Sequence, residues 1–599
     1  MPLLGAVLAA GCSALGQAPD SSPASQLRAP ADGAGASTRL AKAVPATESA
    51  GNRDESTAPL PDVELTPQLL FQLLASEIAA QRGQIGSATA TYRSMARETR
   101  DPRLARRATE LALSQRAIDS ALPAAELWLE LEPASRIAAQ TVETLRLTSG
   151  RLAEAEPLVT ARLDQARREN ELESFYNGLE RTLGRVNDKV AAHALLTRVA
   201  AQDQNLSAAR LALAATASRA GLAAEAAEQA RAAVELDPSD EQTVVSAARL
   251  VAAVDDGKAQ GIELLAGFLT RQPDAIEARF AYARLLADSG RKSEASEQFE
   301  AALKREPESP AILFSLAQLA YQTQQKPLAR SYLERYVNLP ATVQRDNNPA
   351  YLFLGQLAEE AKQYEDAVRF FGEVGPGRQF LDARIRRAVL TARLGDVAEG
   401  QRMLRQTNVG SAREHGRLTS AEAEILREDG RLEEAFALLD EAVKRSPDNT
   451  DLLYDHAMAA ERLDRMDVLE KSLREVIARE PESAHAYNAL GYTLADRGLR
   501  LAEARKLIEK ALELSPDDAH IIDSLGWVLF RQGDLAGAER ELRRAYQAAP
   551  EAEIATHLGE VLWQAGKKAE AREFWARASN ADPDNETLRE TLARLNVEL

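Results

Sequence analysis

Cysteine is almost missing from this chain of 599 residues, which holds one, Cys12. A single thiol cannot close an internal disulfide and is too few for a zinc site. Aromatics are scarce as well, at 5% against 45% hydrophobic and 27% charged residues, so burial must rest on Ala and Leu making many small contacts. That mixture is the bias of long helical proteins. Clusters of Val, Ile, Thr and Tyr that would read as strands are few, and the polar gaps are too short to hold a β domain. Positive charge is in deficit: 73 basic residues face 91 acidic ones, for a net charge of −18. This sign repels phosphate backbones and anionic lipid, so no nucleic acid is expected as a partner. The charge is spread along helical faces and reads first as solvated surface, with a preference for basic ligands only a weak implication.

Signatures of catalysis are lacking too. The six histidines include no HExxH pair, and no GxxxxGK[ST] phosphate loop occurs; Gly566-Lys567-Lys568 resembles its tail without the spacing or the hydroxyl. There is no GxSxG elbow. The expectation is a chain that is not an enzyme, with no catalytic residue, no metal and no cofactor.

What is present begins with the N-terminus. Residues 3–10 read LLGAVLAA, followed by Gly11, Cys12 and Ser13, a stretch too short to span a bilayer, which takes about 20 apolar residues. A cleaved export signal fits better. LAAGC at 8–12 resembles the lipobox of bacterial lipoproteins, which implies a lipid on Cys12, and Ser13 in place of Asp implies sorting to the outer membrane. No Lys or Arg precedes the stretch, so the basic start of a signal is expected upstream of Met1. Residues 13–62 are rich in Ala, Pro and Ser without apolar period and read as a disordered linker. As a flexible coil it would reach roughly 40 Å.

Beyond the linker a period appears. Prolines fall at Pro238, Pro273, Pro307 and Pro340, then at Pro447, Pro481, Pro516, Pro550 and Pro583, with gaps of 33 to 35 residues inside each run. A period of 34 built from two helices is the signature of the tetratricopeptide repeat. Within the unit ending at Pro550, Leu525, Gly526 and Leu529 lie on the first helix, Gly533 marks the turn, and Ala538, Leu542 and Ala545 lie on the second. Gly526 and Ala538 let the helices approach; Gly533 supplies the turn's backbone freedom. The register repeats at Leu558, Gly559, Gly566, Ala571 and Trp575, and at Leu490, Gly491, Ala504, Ile508 and Ala511. It weakens upstream, and residues 166–205 fit it poorly. The expected fold is all-α, a superhelical solenoid of about fifteen helical hairpins over 63–585 with a capping helix at 586–599.

In this repeat family the first helix of each pair lines the binding groove, and its second, fifth, ninth and twelfth positions point inward, as the resemblance implies. Applied to the last four units, the register selects Tyr454 and Met458, then His485, Asn488 and Tyr492. Further on it selects His520, Asp523, Trp527 and Phe530, then Glu560 and Trp563. Five aromatics on one face of an aromatic-poor chain suit a binding hot spot. The same rings could instead pack on the adjacent repeat.

AYNALGYTLADRG at 486–498, HIIDSLGWVLFRQGDLAGAERELRRAY at 520–546 and HLGEVLWQAG at 557–566 are similar to proteobacterial outer-membrane tetratricopeptide-repeat lipoproteins. With the signal and linker, that resemblance spans nearly the whole chain. Members look like adaptors of a periplasmic carboxyl-terminal processing serine protease. The resemblance therefore implies partners of two kinds, that protease and its peptidoglycan hydrolase substrates, with the chain anchored through its lipid at the periplasmic face of the outer membrane. A structural lipoprotein scaffolding an envelope-assembly or polysaccharide-export complex is the alternative.

Overall fold

A computed structural model describes residues 61–254 and 257–599. Cys12, the signal segment and the linker to residue 60 lie outside them. The described residues form thirty-one α-helices, one 3-10 turn and no strand. Taken in order they are fifteen successive helix pairs and a last helix, Glu586–Leu595.

The chain divides into two compact units, one ending at Val142 and one spanning Glu143–Leu599. In the first, Thr66 caps the helix Pro67–Gln81 by accepting from the Leu69 N–H at 3.1 Å. Proline at the first helical position costs nothing there, because its missing donor would have had no helical acceptor. The core of this unit is made by Ala88, Tyr92, Met95, Ala108, Leu111 and Ala124. One carboxylate ties three helices: Glu77 accepts from the Tyr92 hydroxyl at 2.7 Å and from the Arg107 fork at 2.9 and 3.0 Å. Burial, reinforced by that bond, pushes the Tyr92 phenol up to about 12.

In the second unit the helices Ala519–Arg531 and Leu535–Ala548 show how a repeat is made. Asp518 opens the first helix by accepting from the His520 and Ile521 N–H groups, which would otherwise lack partners. Gly533, at φ +90°, makes the turn, a conformation costly for other residues. Asp534 then caps the second helix through the Gly537 N–H at 2.9 Å. Where the two helices meet, a Cβ on Gly526 would lie 2.6 Å from Leu542, so only glycine permits this separation. The recurrent prolines have an equally local cause. Pro238, Pro307, Pro447, Pro481 and Pro516 each directly follow the residue that ends a second helix, where a ring that cannot continue a helix fixes the stop.

Residues 166–205 are helical but built differently. The helix Leu172–Leu183 packs chiefly on Ser207–Arg219 and only slightly on its sequence partner Lys189–Val199. Its core uses Tyr176, Leu179 and Leu183 in place of small residues. Asp203 holds the segment, accepting from the Tyr176 hydroxyl at 2.5 Å and from Arg167 at 2.9 Å. The proline period breaks after Pro340 because ten residues, 338–347, intervene between helices. Arg345 organises that loop by donating to the carbonyls of Val337, Leu339, Pro340 and Val343.

The last helix buries Leu588 and Thr591 and turns Glu586, Arg589 and Glu590 to water. Its Arg594 forks onto Glu560 of the preceding repeat at 2.9 and 2.7 Å.

Candidate protein-binding face

The first helices of the last repeats are Thr450–Arg462, Ala484–Asp496, Ala519–Arg531 and Ala552–Gln564. Residues one repeat apart occupy similar places on neighbouring helices, so side chains separated by 31 to 34 positions meet. Asp523 accepts from His557 Nδ1 at 2.9 Å, with its second oxygen at 3.1 Å. Trp527 Nε1 donates to Asp496 at 3.2 Å. Thr493 donates to Glu461 at 2.8 Å. The face is therefore laced laterally, helix to helix.

His557 is the centre of this lacing. Its ring is 2% exposed, lies stacked on Trp527 with centroids 4.4 Å apart, and stands 6.3 Å from the Tyr492 ring. Burial works against a charged imidazole, but the carboxylate of Asp523 in direct contact, with Glu553 and Glu560 beyond it, outweighs that cost and raises the pKa to about 9. His557 is thus a buried imidazolium paired with a buried carboxylate at neutral pH.

The residues selected from the sequence do not share one setting. Tyr492, Asp523 and Trp527 come together around His557, and Phe530 lies 5.2 Å from the Trp527 ring. Of these, Asp523 and Trp527 are only 5% and 6% exposed, so they set the shape and charge of the surface while offering little area to a ligand. Trp527 packs on the adjacent repeat. Tyr454, Met458, Asn488, Tyr492 and Phe530 are half-buried and do present area. Burial pushes the Tyr454 phenol up to about 12. His485 and His520 stand in solvent. Trp563 lies apart, 5.5 Å from Trp575, with Lys568 Nζ 4.8 Å over its ring. Glu560 is buried by its fork to Arg594 and presents little to a ligand.

Sequence reasoning passed over His557, which it weighed only as half of a missing metal motif, and Asp496 and Glu461, which accept from Trp527 and Thr493. The signal was available: Asp523 and His557 lie 34 residues apart, one repeat period. A second aromatic group was missed as well. Phe314 and Tyr321 meet Phe353 edge-on from the neighbouring first helix at 6.5 and 5.2 Å. Among the described residues no group of three or more His, Cys, Asp or Glu is placed to hold a metal, and no helix is long and apolar enough to cross a membrane.

Comparison with known families bears on the repeat itself. Residues 281–349, 385–450 and 454–519 match one tetratricopeptide repeat model, and 529–595 match another. These are tetratricopeptide repeats. The chain is also similar to the TPR repeat-containing protein PA4667 of Pseudomonas aeruginosa, at 39% identity over 208 residues, about a third (35%) of each chain. Among solved structures it is similar to a thermophilic TPR protein of Thermus thermophilus, with 23% identity, 30% of this chain and 100% of that one covered, and a TM-score of 0.28. A tetratricopeptide repeat protein of Parabacteroides merdae matches over 41% of this chain and 97% of its own, at 14% identity and a TM-score of 0.33. The tetratricopeptide solenoid is a scaffold for protein interaction, and the matched models are repeat models with no catalytic family among them.

Proposed function

We propose that this solenoid is a membrane-tethered scaffold that binds a periplasmic carboxyl-terminal processing serine protease together with peptidoglycan hydrolases, and so promotes their proteolysis. The observation that carries the binding role is the laterally laced face of the last repeats. There half-buried Tyr454, Asn488, Tyr492 and Phe530 stand on three successive first helices. Tyrosine and similar rings on a rigid support bind other proteins at little entropic cost. The identity of the partner is supported by the resemblance of residues 486–566 to outer-membrane lipoprotein adaptors. Lipidation at Cys12 would hold protease and substrate on the periplasmic face of the outer membrane, where tethering raises their effective concentration to roughly millimolar.

Affinity capture from the cell envelope with the full chain tests this reading. Recovery of a serine protease of the processing class is the expected result. Recovery only of polysaccharide-export or envelope-assembly components would replace the proposal with a structural scaffold.

A further inference from the structure

An interior first helix such as Ala519–Arg531 packs against the first helices of the repeats before and after it. The helix Pro67–Gln81 packs on its second helix, Ile85–Thr99, with Leu69 and Leu73 turned toward the core of that unit. Leu70, Phe71, Leu74 and Ile78 lie on the opposite side and are 44–71% exposed. Leu65, just ahead of the helix, is exposed as well. A single exposed leucine is ordinary, but a contiguous apolar stripe marks a contact.

The period of the stripe and the placing of charge around it define what fits there. Phe71, Leu74 and Ile78 are spaced by three and then four residues, the period of a helix–helix seam, so the occupant is another helix. Between Thr66 and Gln81 the chain carries one charge, Glu77, and Tyr92 and Arg107 already hold it. The stripe is thus free of unanswered charge, as the core of a protein interface is. Charge returns at its two ends with opposite signs: exposed Asp62 and Glu64 before the helix, exposed Arg82 after it. A lipid surface is a poor match, because helices that lie on membranes flank their apolar face with Lys and Arg, and Pro67–Gln81 contains neither.

We infer that this stripe pairs, antiparallel, with the same stripe of a second copy of the chain about a two-fold axis at Leu74. Leu74 is the middle residue of the helix. An antiparallel pair centred there sets Leu70 opposite Ile78 of the second copy and brings Arg82 to the end where Asp62 and Glu64 of that copy lie. A parallel pair would set like charges together at both ends. The four side chains, with exposed Pro67 and Ala75 beside them, offer roughly 500 Å² per copy. Two copies therefore bury about 1,000 Å², the size at which specific interfaces begin. The pairing does not depend on which protease or hydrolase the scaffold holds, and it doubles the sites that one particle offers to a multivalent partner.

Sedimentation of the full chain carrying Cys12→Ala, from nanomolar to tens of micromolar, tests the pairing. The mass should rise with concentration from 65.1 kDa to twice that value. Leu74→Lys, which sets two lysines together at the axis, should weaken association tenfold or more with an unchanged melting midpoint. Val190→Lys, at an exposed apolar residue of the second unit, should leave it within twofold. Arg82→Glu should weaken association at least threefold, and adding Asp62→Lys with Glu64→Lys should restore it. Because Cys12 is the sole thiol, Leu74→Cys in the same background gives one reactive site per chain. A short bismaleimide should link two chains through that site and not through Ala90→Cys, at an exposed residue of the second helix. A chain that stays monomeric at every concentration, association that survives Leu74→Lys, or a charge reversal at Arg82 without effect would overturn the inference. A monomer that pellets with phosphatidylglycerol vesicles would overturn it in favour of lipid.

Discussion

His557 and Asp523 form an ion pair at 2.9 Å between two consecutive repeats, and the Trp527 ring lies over the imidazole at 4.4 Å with an angle of 26° between planes. Both partners are buried, at 2% and 5% exposed, and the indole covers the imidazole. The pair therefore fastens one repeat to the next and fixes the floor on which Tyr492 stands.

Breaking the pair leaves one buried charge without its partner, a loss of about 3–5 kcal/mol in comparable sites. Asp523→Asn should therefore lower the unfolding midpoint of the C-terminal repeats. Three of the four tryptophans, Trp527, Trp563 and Trp575, lie in this region, so indole fluorescence during urea unfolding reports on it directly. An unchanged midpoint would show that the pair contributes nothing.

The same pair predicts a pH dependence. The folded pKa of His557, about 9, lies above the unfolded value of 6.5, so the folded state binds the proton more tightly. Its stabilisation is fully present below pH 6.5 and is lost as pH rises through 9. The thermal midpoint should fall across that window, and His557→Gln should flatten the fall. Parallel profiles for the two proteins would assign the dependence to other groups.

At Gly526 the helices are too close for a methyl group, which would meet Leu542 at 2.6 Å. Overpacking of this kind costs about 1–3 kcal/mol. Gly526→Ala should therefore be destabilising even though alanine is the better helix former, whereas Gly86→Ala, with nothing within 4 Å, should be neutral or slightly stabilising. Calorimetry of both variants decides.

Two aromatic substitutions should separate packing from binding. Trp527→Ala removes a buried ring and should cost about 3–5 kcal/mol of stability. Tyr492→Ala removes a half-buried ring at the surface and should reduce partner capture by more than it lowers the midpoint. If Tyr492→Ala unfolds the repeats as readily as Trp527→Ala, its ring is core and not contact surface.

For the tether, Cys12→Ala should move the protein from the membrane fraction to the soluble periplasm without altering its melting. Continued pelleting with membranes would refute lipid anchoring.

Much of this architecture was readable because each repeat carries its own local instructions. Pro516 and Pro550 stop helices, Gly533 turns the chain, and Gly526 with Leu542 sets the helix spacing; each acts within a few tens of residues. Where those markers fail, reading failed as well: in 166–205, Tyr176 and Asp203 replace the small-residue pattern by a hydrogen-bonded one, which spacing does not reveal. At the face, register placed Tyr454, Asn488 and Tyr492 at a half-exposed surface. It gave Trp527 and Asp523 the same standing although both are buried.

The difference has a physical cause. Sequence by itself determined the helix pairs, their period and the sign of the charge, since turn chemistry, capping and apolar spacing are properties of short segments. Only the tertiary structure decided which groove positions are floor and which are surface, because burial depends on the neighbouring repeat: His557, 34 residues away, covers Trp527 and neutralises Asp523.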